Sequence, residues 1–312
     1  MTNEPETTAS DVPEPAERPK KHVLPAGIRA MRPRQWVKNV LVVAAPLTAG
    51  ELLNANVLLD TLFAFISFCM ISATVYLMND IKDVEEDRLH PRKRFRPIAA
   101  GELKVPAAWV LAALTAIIGF GLGFFTSTNL GITLAVYLIL QVLYSMFLKH
   151  QPIIDLAMVS SGFLLRAIAG GVASGIVLSN WFLLVAAFGS LFMVAGKRYS
   201  ELKLLGSEAG TRRSLEAYSV SYLRFAWHLS AAVTLVCYCL WAFERQTAGI
   251  TDVPWSVLSI APITIGLLQY AMEIDQGGAG EPEDVVINNR PLQISGLLTV
   301  ILIGMAVFTG GQ

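Results

Sequence analysis

Charge is scarce in this sequence. Asp, Glu, Lys and Arg supply 15% of its 312 residues and hydrophobic residues 54%, whereas soluble domains carry about a quarter charged residues. The mean hydropathy is +0.54, and several apolar runs approach the ~20 residues that cross a bilayer. An ordinary soluble domain is thereby excluded in favour of a polytopic membrane protein. Cysteine is scarce too, with three in the chain. Cys237 and Cys239 lie two apart in an apolar segment, where helical side chains diverge, so they read as small buried apolar residues rather than a disulfide. The four histidines, His22, His90, His150 and His228, are scattered without the spacing of a zinc site. The first ~25 residues are rich in Pro, Glu, Thr and Ala and lack the apolar core of a signal peptide. They are expected to form a disordered cytoplasmic tail over residues 1–30, followed by one transmembrane domain over 31–312.

The apolar runs predict an all-α bundle of about nine membrane helices, at 37–53, 57–79, 105–126, 129–148, 152–175, 180–197, 220–243, 254–274 and 291–310. The gaps after the first, third, fifth and seventh hold Arg245 as their only basic residue. The opposite gaps hold Lys20, Lys21, Arg29, Arg32, Arg34, Lys38, the run from Arg88 to Lys104, Lys149, Lys197, Arg198, Lys203, Arg212, Arg213 and Arg290. That bias predicts a cytoplasmic N-terminus and cytoplasmic long loops in a plasma (inner) membrane protein, with Gln312 outside. Small residues from Ser160 to Gly175 crowd the fifth run, which predicts a central helix approached closely by its neighbours.

The second run ends in Tyr76-Leu77-Met78-Asn79-Asp80-Ile81-Lys82-Asp83-Val84-Glu85-Glu86-Asp87. Asp80, Asp83 and Asp87 recur at +3 and +7 and so share a helix face, which Asn79 joins through Asp83 at +4. Carboxylates stacked on one face repel unless a cation lies between them, and Mg²⁺ suits carboxylate and amide oxygens. A solvated acidic helix end is the plainer alternative, but acids at a membrane edge are costly and are usually functional. The basic run His90-Pro91-Arg92-Lys93-Arg94-Phe95-Arg96-Pro97 follows directly. Acidic metal ligands beside guanidinium and ammonium groups suit a Mg²⁺–diphosphate group, although positive-inside anchoring to anionic lipid would use the same charges. Arg166, about ten residues into its helix, must face the bundle interior and find either Asp155 or a substrate anion. Lys149, Lys197 and Arg198 end their helices facing the aspartates, with interface snorkelling as the bland alternative.

On these residues the chain resembles the UbiA superfamily of intramembrane prenyltransferases. The motifs are Asn79-Asp80-x-x-Asp83-x-x-x-Asp87, Tyr144 with Lys149, and long loops after the second and sixth helices. That family holds a diphosphate through Mg²⁺ on two aspartate-rich motifs. Here the second motif reads Gly196-Lys197-Arg198-Tyr199-Ser200-Glu201-Leu202, with bases where acids belong. This variant resembles the phosphoribosyl-transferring branch, supported by Arg32-Pro33-Arg34-Gln35-Trp36-Val37-Lys38-Asn39 and Phe163-Leu164-Leu165-Arg166-Ala167-Ile168-Ala169-Gly170. The resemblance implies Mg²⁺-dependent transfer of 5-phosphoribose from phosphoribosyl diphosphate (PRPP) to decaprenyl phosphate, feeding the lipid-linked arabinose donor of actinobacterial cell walls. It implies metal ligation by Asn79, Asp80, Asp83 and Asp87, and substrate binding by Lys38, Tyr76, Lys93, Arg94, Arg96, Lys149, Arg166, Lys197 and Arg198. The expected partners are PRPP, the lipid, the membrane and a second copy of the chain, but no nucleic acid. Two alternatives stand beside it: transfer of a polyprenyl group from its diphosphate to an aromatic acceptor, and a membrane transporter with a cation site.

Overall fold

The computed structural model describes residues 24–205, 215, 217–246, 253–280 and 282–309, all-helical and without strands among them. Eight helices there are long and apolar enough to cross a membrane: Ala55–Lys82, Val105–Thr126, Thr128–Leu148, Ile154–Ala173, Asn180–Leu204, Val220–Arg245, Trp255–Gln276 and Arg290–Val307. They coincide with the second to ninth expected runs, except that the sixth, expected to stop at 197, continues to Leu205, so Lys197 and Arg198 lie about two turns inside their helix rather than at its end. The first run is built differently. Helix α1, Ala26–Ala30, leads into a 3₁₀ segment, Pro33–Val43, and then α2, Ala44–Ala49, which stops at Gly50 with φ 89°. An 11-residue 3₁₀ run is long for that geometry. The expected tail therefore overlaps α1, where Ala30 is buried, while residues 1–23, with Lys20 and Lys21, lie outside the described residues. Arg212 and Arg213 lie outside them too.

Each long helix begins where its sequence provides a stop or a cap. Asn54 accepts a hydrogen bond from the Asn56 amide to start α3, Ala55–Lys82, and Ser127 accepts from the Leu130 amide to start α6, Thr128–Leu143. A short α4, Val84–Leu89, continues from α3, and α5, Val105–Thr126, carries Pro106 in its first turn, where no amide donor is needed. Beyond α6 the chain widens into a π-turn, Tyr144–Leu148, a distortion that recurs at functional sites. Helix α7, Ile154–Ala173, packs against the 3₁₀ segment, α2, α3, α6 and α8, Asn180–Leu205. Its small residues make that centrality possible. At Gly170 a Cβ would stand 1.8 Å from the Val42 carbonyl oxygen, so only glycine admits the 3₁₀ segment.

Two cores flank α7. Val42, Phe68, Ile71, Leu130, Leu134, Tyr137 and Ala169 form one. Phe192, Tyr199, Trp227, Tyr270 and Ile274 anchor the other, between α8, α9 (Val220–Gln246) and the Trp255–Gln276 span. The three cysteines are free, so the expected absence of a Cys237–Cys239 bridge holds.

Candidate active site

Helix α3 carries the acidic motif on its last turn. Its final residue is Lys82, Asp83 caps it, and α4 restarts at once, keeping the hydrogen bonds Asp83 N to Asn79 O and Asp87 N to Asp83 O. The helical phase thus survives the joint, and Asp80 and Asp87 turn inward together, each 2% exposed. Asp80 Oδ1 accepts from Arg32 Nη2 at 2.5 Å and from Arg96 Nη1 at 3.1 Å; Asp87 Oδ2 accepts from the same Arg96 nitrogen at 2.6 Å. Asn79 faces elsewhere: its Oδ1 accepts from Ser145 Oγ at 2.7 Å. Asp83 is half-buried, and no cation pairs with it among the described residues. The four expected metal ligands thus have different surroundings: Asp80 and Asp87 meet arginines and Asn79 meets Ser145.

The basic run after α4 is ordered by its own chemistry. His90 Nδ1 accepts from the Arg92 and Lys93 amides, Arg88 Nε donates to the Ala99 carbonyl, and Pro97, Ile98 and Ala99 are buried. Arg96 consequently points at the aspartates, whereas Lys93 and Arg94 stay at the surface, Arg94 over the Phe95 ring. Tyr76 lies one turn before Asp80, with the Arg32 guanidinium 5.1 Å from its ring centre. Lys38 is half-buried and donates to Gln35 Oε1 at 2.6 Å.

Arg166 is buried, as its depth demanded, and Asp155 is not its partner. Nε donates to Asn39 Oδ1 at 2.7 Å, Nη1 to the Gly162 carbonyl at 2.7 Å, and Nη2 to Tyr137 at 2.8 Å and Ser72 at 3.4 Å. Asp155 instead belongs to Arg198, at 3.3 Å from Nε. The two residues on α7 are eleven apart, about 16 Å along the axis, beyond an arginine's reach. Arg198 also donates to Glu201 Oε2 at 3.0 Å and to the Tyr144 hydroxyl at 3.4 Å, and Lys197 lies 3.8 Å from Glu201. Tyr218, just before α9, donates to Asp155 Oδ1 at 2.5 Å, and its hydroxyl accepts from the Ile153 amide. Burial first, then that bond to Asp155, pushes the Tyr218 hydroxyl well above the usual tyrosine range.

The π-turn joins these groups. Tyr144 meets Arg198, Ser145 meets Asn79, and Lys82 Nζ donates to the Ser145 carbonyl at 2.7 Å. The acidic end of α3 and the basic pair on α8 therefore flank one short element, with Lys149 closing it. A divalent cation fits here on donor chemistry: Asn79 Oδ1 keeps a lone pair beyond Ser145, and the Asp83 carboxyl oxygens pair with no cation among the described residues. No cluster of three or more His, Cys, Asp or Glu side chains stands ready among the described residues. A divalent cation that takes one or two protein carboxylates and fills its shell with water and phosphate needs no such cluster.

Arg32, Asn39, Tyr137, Ser145 and Tyr218 were not among the expected site residues. Arg32 and Asn39 stood at the two ends of the Arg32–Asn39 run, and Arg32 was also a cation before Pro33 at the mouth of a membrane segment; the other three carried no signal.

Residues 40–289 match the UbiA prenyltransferase family. The chain is 48% identical to a decaprenyl-phosphate phosphoribosyltransferase of Mycolicibacterium smegmatis, across 97% of this chain and 98% of that protein. It is 46% identical to a protein of the same name from Corynebacterium glutamicum, across 99% and 94%. Among solved structures, a UbiA homolog from Archaeoglobus fulgidus bound to GPP and Mg²⁺ shares the fold, with a TM-score of 0.68 at 19% identity over 90% of this chain and 99% of that one.

Proposed function

The chain belongs to the UbiA prenyltransferase family, and from that premise we propose that it is a membrane phosphoribosyltransferase. It transfers 5-phosphoribose from PRPP to a polyprenyl phosphate, decaprenyl phosphate in the relatives' names, and releases diphosphate. One observation carries the reading beyond the family: the π-turn touches Asn79 of the acidic motif on α3 through Ser145 and Arg198 of the basic Lys197-Arg198 pair on α8 through Tyr144. A single acidic motif supports one metal-bound diphosphate, and the basic pair on α8 supports a second phosphate held by cations. The excess of Lys and Arg on alternate connections favours a plasma membrane orientation with this end in the cytoplasm.

The reaction needs little from the protein beyond placement. A phosphate oxygen of the lipid forms a bond to the anomeric carbon, and the bond from that carbon to the diphosphate breaks with its electron pair leaving on the diphosphate. Asn79 and Asp83 hold the divalent metal, Mg²⁺, which when bound offsets the charge growing on the leaving group. Lys38, Lys93, Arg94 and Arg96 add cationic contacts to that charge, which exceeds the ground-state charge and so favours the transition state. Tyr76 reaches the sugar from the same face as Asp80. Lys149 and Lys197 meet the remaining phosphates, with Arg198 and Arg166 fixed behind them. The nucleophile is already an anion at neutral pH, so no general base is required, and attack opposite the leaving group inverts the anomeric carbon.

Labelled PRPP with decaprenyl phosphate and Mg²⁺ is expected to yield labelled lipid, and none with EDTA. Product from a prenyl diphosphate and an aromatic acid instead would install the prenyltransferase alternative. Failure to release diphosphate from any donor would favour a transporter.

A further inference from the structure

The fold does not use the four expected metal ligands alike. We infer that Asp80 and Asp87 are positioning residues that seat Arg32 and Arg96 for a substrate phosphate, leaving the metal to Asn79 and Asp83. The proposed function supplies the identity of that phosphate; the seating stands on geometry alone.

Asp80 and Asp87 are joined by one atom, Arg96 Nη1, which donates to both carboxylates. Its two hydrogens are thereby used, and the Nη2 and Nε hydrogens remain for a ligand. Arg32 commits Nη2 to Asp80 and lays its guanidinium over Tyr76. Exposure gives the arrangement a direction. The two carboxylates are 3% exposed, while Arg32 is 30% and Arg96 29% exposed at the side chain. The acids are thus buried beneath arginine side chains that remain partly exposed.

Backbone rigidity holds the pair. Each arginine directly precedes a proline, Pro33 or Pro97. Arg32 itself adopts a left-handed conformation, φ 55° and ψ 61°, which a non-glycine residue keeps only where its surroundings enforce it. Arg96 is followed by the buried Pro97 and Ile98. Charge completes the case. Two carboxylates and two guanidinium groups sum to zero, so a dication placed on Asp80 or Asp87 would sit among cations it repels. Asp83, by contrast, pairs with no cation among the described residues and lies one helical turn beyond Asn79.

The test uses the full-length protein in lipid nanodiscs, Mn²⁺ as the metal probe read by EPR, and inorganic diphosphate as the anion. Asp83→Asn is expected to weaken Mn²⁺ binding about tenfold or more. Asp87→Asn is expected to leave Mn²⁺ affinity unchanged but to weaken diphosphate binding, and to raise the KM for PRPP, about tenfold. Its KM for the lipid should hold, Asp87→Glu should restore PRPP affinity, and Arg96→Ala should weaken diphosphate binding at least as much as Asp87→Asn, again with Mn²⁺ affinity unchanged. An Asp87→Asn protein that loses Mn²⁺ as Asp83→Asn does would overturn the inference. If Asp87→Asn does not fold, Arg96→Gln decides: unchanged Mn²⁺ affinity supports the seating, and tighter Mn²⁺ binding refutes it. A wild-type protein that binds Mn²⁺ and diphosphate but does not turn over PRPP would defeat the proposed function, while these binding measurements would still judge the seating.

Discussion

Arginine meets aspartate in two places in this molecule, and the two are built differently. At the end of α3, Arg32 and Arg96 stand about one-third exposed over Asp80 and Asp87. Between α7 and α8, Arg198 and Asp155 are 4% and 0% exposed, closed in by Glu201, Tyr144 and Tyr218. The same chemical pair thus serves two ends. In the open cluster the cations keep unused donors at the surface of the site. In the sealed cluster Arg198 is enclosed by protein and acts as a tie between helices, while its neighbour Lys197 is only half-buried. A cationic residue in a binding motif is therefore not a ligand contact by virtue of its charge; its access to solvent decides.

Mutations can break that contrast. The largest effect is expected in the sealed cluster. Asp155→Ala leaves a buried guanidinium short of its partner, which costs roughly 3–5 kcal/mol, read as a fall in thermal midpoint in detergent. A small fall there, equal to that of Asp80→Ala, would erase the distinction. Next, Asp83→Ala is expected to reduce kcat by about 10²–10³-fold with little change in midpoint, as for loss of a group that stabilises developing charge; near-normal Mg²⁺-dependent turnover would remove Asp83 from the metal site. Arg32→Ala is expected to raise the KM for PRPP about tenfold while the fold stays intact, and a destabilised protein with unchanged KM would move Arg32 into the sealed class.

The smallest effect sharpens the contrast by pH. Tyr218→Phe should cost about 1 kcal/mol, the worth of one hydrogen bond. The Tyr218 hydroxyl is raised in the folded protein, so its contribution is fully present below the unfolded tyrosine value and is lost as pH climbs towards the folded one. The difference in midpoint between wild type and Tyr218→Phe should hold constant to about pH 10 and shrink only above it. A difference that varies between pH 6 and 9 would point to another group.

Much of the bundle was legible because a membrane span is a local signal, written in about twenty consecutive residues. The first segment was not, because its 3₁₀ path depends on Gly170 of a distant helix admitting Val42. Within the site, the inward turn of Asp80 and Asp87 followed from helical phase, and the depth of Arg166 required internal partners. Which partners these were did not follow. Asn39, Tyr137 and Ser72 come from three other segments, and Asn39 is 127 residues away in sequence.

By itself the sequence determined the helical membrane class, the acidic motif on the end of α3 and the basic pair on α8. Each of these depends on side chains within a few turns of one another, which helix geometry fixes. The tertiary structure decided the pairing: Arg32 with Asp80 across 48 residues, Arg198 with Asp155 across 43, and the π-turn that brings Asn79 and Arg198 to adjacent residues. Charges drawn from different helices meet only after packing has set the distance and removed the water between them, and that same packing left one arginine pair open and closed the other.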